Sequence, residues 1–211
     1  MGHAASESAA ETCLRSITTT NSELTAEIFP AVTPDTMFDC EWRWPDRKRR
    51  TCDQTNLTLT AYKNLDVRRR IACAQSHWLL WQLCVGLNEP ICVLEHDAVF
   101  VREFRTWNFK GGAISINSPI GATFGALLYD QALVDGENEI PWITNQNVPQ
   151  GLPGNSAYVI QPWAAQQLMD AQQKIGWWPN DAIMCRQLFP WLRAVKPYYT
   201  NLQSMPSTTC A

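Results

Sequence analysis

The sequence predicts an α/β fold, a sheet flanked by helices with its site beyond the strand ends. Two adjacent segments predict it. Residues 67–87 carry apolar side chains at near-helical spacing, and residues 91–94 form an unbroken apolar run that closes on the acidic triplet Glu95-His96-Asp97. Helix, turn, buried strand and then polar residues is the order in which α/β sheets build ligand crevices.

Composition is compatible with this. The chain has 211 residues, 45% of them hydrophobic and 18% charged, enough for a packed core and too apolar for global disorder. It reads as one domain over residues 1–211. A formal net charge of -3 argues against a dedicated nucleic-acid binder. The basic runs Arg47-Lys48-Arg49-Arg50 and Arg68-Arg69-Arg70 suit either phosphates and acidic partners or a solvated surface. Ten tryptophans serve a core or a sugar-binding wall. The eight cysteines contain no C-x-x-C pair, which points to reduced thiols in a cytoplasmic protein, with a Cys40–Cys52 bridge as the alternative. No run approaches the roughly 20 apolar residues of a membrane span, and Met1 to Ala10 lacks the apolar centre of a signal peptide. Membrane contact is therefore expected to be peripheral at most.

Along the chain, Ala9, Ala10, Cys13, Leu14 and Ile17 predict a first helix. Glu27 to Val32 reads as a short strand stopped by Pro34, and residues 35–60 as a long polar loop with at most one short helix. Val67 to Leu87 is the strongest helix, ended near Gly86 and Pro90. Ile91 to Leu94 is expected as a central strand covered on both faces. Gly112 to Ile116 and Gly154 to Ile160 predict further strands, and Ala126 to Tyr129 another within an irregular stretch. Pro162 opens a helix to about Lys174. Asn180 or Asp181 is expected to cap a last helix with Ile183, Met184, Leu188 and Phe189 on its apolar face.

The triplet carries the chemistry. In an extended chain, Glu95 and Asp97 point to one side and His96 to the other. An acid-x-acid pair of this kind can hold a divalent cation with open positions for a nucleotide diphosphate. Alone it is also compatible with a metal-dependent phosphoesterase, or with two charges in a surface turn.

Context narrows the choice. Ala72-Cys73-Ala74-Gln75-Ser76-His77 with Trp81, followed by Ile91-Cys92-Val93-Leu94-Glu95-His96-Asp97, resembles glycosyltransferase family 25, the lipopolysaccharide-biosynthesis and collagen-galactosyltransferase group. Ile28 to Val32, Gly154 to Ile160 with Ala164-Ala165, and Pro179-Asn180-Asp181 are similar to further elements of that family in the same order. The resemblance covers roughly residues 27–200.

The resemblance implies a GT-A-like nucleotide-binding sandwich with a mixed central sheet flanked by helices. It implies transfer of a hexose, galactose or glucose, from a UDP-sugar to a glycan or lipid-linked acceptor with inversion, assisted by Mn2+ or Mg2+. Carried over, Asp97 is the metal ligand and Glu95 a ligand to the metal or the donor ribose. Ser76 and His77 fall at the donor, and Gly154 permits close backbone approach at the sugar pocket. Asp181 is the general base, because an inverting transfer needs a carboxylate to take the acceptor proton. The departures are His96 in place of a middle acid, no strand before Ser8, and no late histidine, since the histidines are His3, His77 and His96. A catalytically inactive nucleotide- or glycan-binding relative is the alternative they leave open.

Overall fold

A computed structural model describes residues 4–62, 66–122 and 125–204; His3 and Cys210 lie outside them. The architecture is α/β, with a mixed five-stranded sheet flanked by helices. Its strands are β3 (Ile91–Leu94), β7 (Ala157–Ile160), β5 (Ala113–Ser115), β8 (Leu192–Lys196) and β6 (Gly136–Glu139), in that spatial order. β7 is antiparallel to both β3 and β5, β5 and β8 are parallel, and β6 is antiparallel to β8. Two smaller ladders join β1 (Arg49–Thr51) to β2 (Thr58–Thr60) and β4 (Ala98–Phe100) to β9 (Thr200–Leu202).

One face of the sheet is covered by α2 (Val67–Leu87) and α4 (Pro162–Ile175), which pack on each other. The core on this side contains Trp81, Tyr158, Ile160, Leu168 and Trp178, all fully buried. Each such side chain contributes about 1.5–3 kcal/mol of burial. The other face carries α1 (Ala4–Thr19), which packs on β4 with Cys13, Ile17, Phe100, Phe104 and Ile116 in its core.

α2 forms where its periodicity predicts. Asp66 caps it by accepting from the Arg68 amide at 2.9 Å, and the left-handed Asn88 ends it. β3 is apolar on both faces because Val93 enters one core and Cys92 borders the other. It is, however, the edge of the described sheet, and its neighbour β7 comes from much later in the chain.

Other expectations change. Residues 27–32 are not a strand; at the end of the segment Ser76 Oγ of α2 accepts from the Val32 amide at 2.9 Å, and further on Gln75 Nε2 donates to the Phe38 carbonyl at 2.6 Å. The stretch 35–60 holds the β1–β2 ladder and no helix. Ala126 to Tyr129 belongs to a helix, α3 (Ala126–Ala132), which buries Tyr129 while Leu127 and Leu128 face outward. The last helix, α5 (Asn180–Ile183), is a single short turn with Pro179 at its cap position. No disulfide joins Cys40 to Cys52; the cysteines of the described residues are free thiols.

Candidate functional site

The site is built from one stripe of α2. Arg70, Cys73, His77 and Trp81 follow at intervals of three and four residues, so their side chains stack along one face. That face lies over β7. Trp81 Nε1 donates to the Tyr158 hydroxyl at 3.0 Å, and His77 Nδ1 meets the same hydroxyl at 2.8 Å. The imidazole and phenol rings are nearly parallel, with an interplanar angle of 15°. His77 Nε2 lies 3.3 Å from Glu95 Oε1.

Glu95 is therefore fixed at the C-terminal end of β3. Its backbone amide extends the ladder by donating to the Ser156 carbonyl at 2.7 Å, and Ser156 Oγ lies 3.4 Å from Oε2. The Glu95 side chain keeps 31% exposure, whereas His77 keeps 5%.

The triplet is not extended. The Ala98 amide donates to the Glu95 carbonyl at 3.0 Å, closing a turn over His96 and Asp97 that leads into β4. The alternation expected of a strand thus does not place the two acids. The turn does, aided by the Gln203 amide, which donates to the Asp97 carbonyl at 2.7 Å. Asp97 Oδ1 is buried without a hydrogen-bond partner. Burial pushes the Asp97 carboxyl above its ordinary value, the charge of Glu95 adds to this, and His96 opposes it.

Asp181 belongs to α5 and follows a residue that meets the stripe at Cys73. The preceding Asn180 does not cap α5, and its side-chain oxygen instead accepts from the Cys73 thiol at 3.5 Å. Asp181 Oδ1 is a second buried carboxylate oxygen without a partner. Burial raises the Asp181 pKa; Arg70 lowers it, Glu95 raises it, and the Tyr62 phenol facing it as a donor lowers it. The Cys73 thiol is held well above its usual range, first by burial and then by Glu95 and Asp181. Glu95 is tied to this stripe through His77, and Asp181 follows Asn180, which meets Cys73; Asp97 lies two residues beyond Glu95 in the same turn.

Two expected site residues have other contacts. Ser76 donates to the Ala72 carbonyl at 2.9 Å while accepting from Val32, so its hydroxyl proton is spent on its own helix. Gly154 has φ +70°, and a Cβ there would lie 2.8 Å from the Ser118 carbonyl and 2.9 Å from Asn117 Nδ2. The close approach it permits is to the protein's own backbone. From sequence, Tyr62 and Tyr158 carry no site role, and Cys73, Trp81 and Arg70 enter only through the family motif and a basic run. The spacing of Cys73 and Trp81 about His77 was an available signal; the partners from β7 and from beyond β2 were not. A groove of about 590 Å³ lined by Cys92, Phe104, Trp107 and Val159, and a hollow of about 180 Å³ beside Arg43 and Arg50, both lie away from the acids.

Two donor sets near this point differ in their fit to a cation. Cys73, His77 and Glu95 bring ligand atoms within 4.8 Å of one another. Both ring nitrogens of His77 already have partners, and the thiol is held protonated, so this set fits poorly. Asp97 fits better, with a free buried oxygen beside a second acid.

Residues 14–110 match glycosyltransferase family 25 (LPS biosynthesis protein). The family 25 match runs from α1 to the approach of β5 and includes Ser76, His77, Glu95 and Asp97. Gly154 and Asp181 lie beyond it. The resemblance read from the Ser76-His77 helix and the acidic triplet is shown by this match, and family 25 implies glycosyltransferase activity in glycan or lipopolysaccharide biosynthesis. No curated protein matches the chain. No helix of the described residues is long and apolar enough to cross a membrane.

Proposed function

We propose that the protein moves a hexose, galactose or glucose, from a UDP-sugar to a hydroxyl of a glycan or lipid-linked acceptor, with inversion. One observation carries this reading: Asp97, in the turn after β3, and Asp181, in α5, each present a buried carboxylate oxygen without a hydrogen-bond partner among the described residues, and Glu95 in the same turn as Asp97 is held by His77. Such an excess of negative charge suits a site that takes up a divalent cation and a nucleotide diphosphate. Asp97 would hold Mn2+ or Mg2+, which when bound neutralises charge on the departing diphosphate.

The side chains divide the remaining work. Glu95, oriented by His77 and Ser156, accepts from a hydroxyl of the donor. Asp181 accepts the proton of the attacking acceptor hydroxyl on its unpartnered Oδ1. Its raised pKa makes it a stronger base than an ordinary aspartate while Arg70 limits the rise.

The test is UDP release from UDP-galactose and UDP-glucose, with and without Mn2+, in wild type and Asp97→Ala. Metal-dependent release that the variant lacks is the expected result. Failure of both UDP-sugars to bind at about 1 mM, the upper range of ordinary KM values, sinks the proposal. Binding without turnover would favour the non-catalytic relative, which His96 in the middle of the triplet also favours.

A further inference from the structure

We propose that Tyr158, braced by Trp81, is a positioning residue that fixes His77 as the Nε2–H tautomer and thereby aims Glu95 at the donor. This rests on the reading of Glu95 as a donor-binding residue.

The argument is one of counting protons. An indole N–H can only donate, so Trp81 Nε1 at 3.0 Å takes one acceptor position on the Tyr158 oxygen. The Tyr158 side chain is fully buried, and its remaining polar partner is His77 Nδ1 at 2.8 Å. If Nδ1 carried the proton, two N–H groups would converge on the phenol oxygen. The phenol proton would then be buried without an acceptor, an arrangement that folded proteins avoid. The phenol therefore donates to Nδ1. The imidazole proton sits on Nε2 and faces Glu95 Oε1 at 3.3 Å.

Two consequences follow for Glu95 and one for the neighbouring donor set. Its Oε1 is occupied by a donor from a rigid, 5%-exposed side chain. Its Oε2, with only the longer 3.4 Å contact to Ser156, is the oxygen left for a ligand hydroxyl. Nε2 has no lone pair for a metal, so Cys73, His77 and Glu95 do not act together as a thiophilic metal site, although their ligand atoms lie within 4.8 Å.

Nitrogen-15 NMR of the histidine ring reads the tautomer directly, with His77→Gln assigning the signal. Wild type is expected in the Nε2–H form, and Tyr158→Phe should shift population toward Nδ1–H. Should Tyr158→Phe fold poorly, Trp81→Phe, which removes only the brace, gives the same readout in a milder form. For UDP-sugar binding, Tyr158→Phe should raise KM about tenfold with a much smaller change in kcat. In a Glu95→Gln background it should add almost nothing, because the two changes act through one chain. An Nδ1–H tautomer in wild type overturns the relay. So does a Cd2+-induced thiolate absorption that His77→Gln abolishes. Additive effects of the two variants overturn the aiming. A Glu95→Gln protein that binds UDP-sugar like wild type overturns the aiming together with the donor role of Glu95.

Discussion

The guanidinium of Arg70 lies 4.0 Å above the ring of Tyr62, and both groups act on Asp181. Tyr62 is itself stacked on Trp44 at 5.4 Å, and Trp44 meets the fully buried Trp178 edge-on at 5.5 Å. The cation is thus seated on an aromatic wall that cannot easily move.

This seating sets the pH dependence of a base at Asp181. Burial and Glu95 raise its pKa, whereas Arg70 and Tyr62 lower it, and the nearby Cys73 thiol is uncharged. A base works ionised, so activity rises with pH through its pKa. Arg70→Gln removes a lowering influence and should move the ascending limb of kcat/KM upward by about one pH unit. Arg70→Lys retains the charge and should leave the limb near its wild-type position. A limb that does not move in Arg70→Gln would show that another group titrates there.

Asp97 should oppose folding where it supports function. Its folded-state pKa is raised above the ordinary aspartate value, chiefly by burial and then by Glu95. Between the unfolded and folded pKa values the native state binds more protons, so stability falls as pH rises through that window. Asp97→Asn removes the charge and should raise the melting temperature at neutral pH while flattening this slope. Activity should fall at least tenfold, a trade seen when a site is built from unfavourable charge. Thermal melts of the metal-free protein at about pH 5 and pH 8 check the sign; a destabilised Asp97→Asn at neutral pH would contradict it.

What the sequence made legible was local. α2 declared itself by its period, and Asp66, Asn88 and Pro90 bound it as capping chemistry requires. The acidic triplet was visible because a continuous apolar strand ends on it. The turn that shapes the triplet was not, since it depends on Gln203 and Ser156 arriving from distant segments. Residues 27–32 look like a strand, but they pair with no other strand, and the Val32 amide is taken by the Ser76 hydroxyl of α2. Ala126 to Tyr129 is too short an apolar run for its period to separate helix from strand. Asp181 was found through the resemblance alone, and nothing local announced that Tyr62 and Arg70 would face it.

Gly154 provides a test of backbone geometry. At φ +70° a side chain is strained, and a Cβ would collide with Ser118 and Asn117, whose side chain also bonds the Ser118 carbonyl at 2.8 Å. Gly154→Ala should cost about 2 kcal/mol or more, read by chemical denaturation. The same change should disturb Ser115, whose hydroxyl donates to the Pro153 carbonyl at 2.6 Å, and through it the β5–β7 pairing. Amide exchange at Ser115 and Ile116 would then quicken, and unchanged exchange there would confine the strain to the loop.

Ser76 separates a structural reading from a donor-binding one. Its hydroxyl proton goes to the Ala72 carbonyl, and its oxygen receives the Val32 amide. Replacing it with alanine leaves that amide without its partner and loosens a segment that has no strand to hold it. The expected cost is about 1 kcal/mol in denaturant unfolding, with faster amide exchange at Val32. KM for the UDP-sugar should change far less than in Glu95→Gln, because the serine hydroxyl is already committed to the protein. If KM instead rises as much as in Glu95→Gln while Val32 exchange stays slow, Ser76 contacts the donor and the clasp on Val32 is secondary.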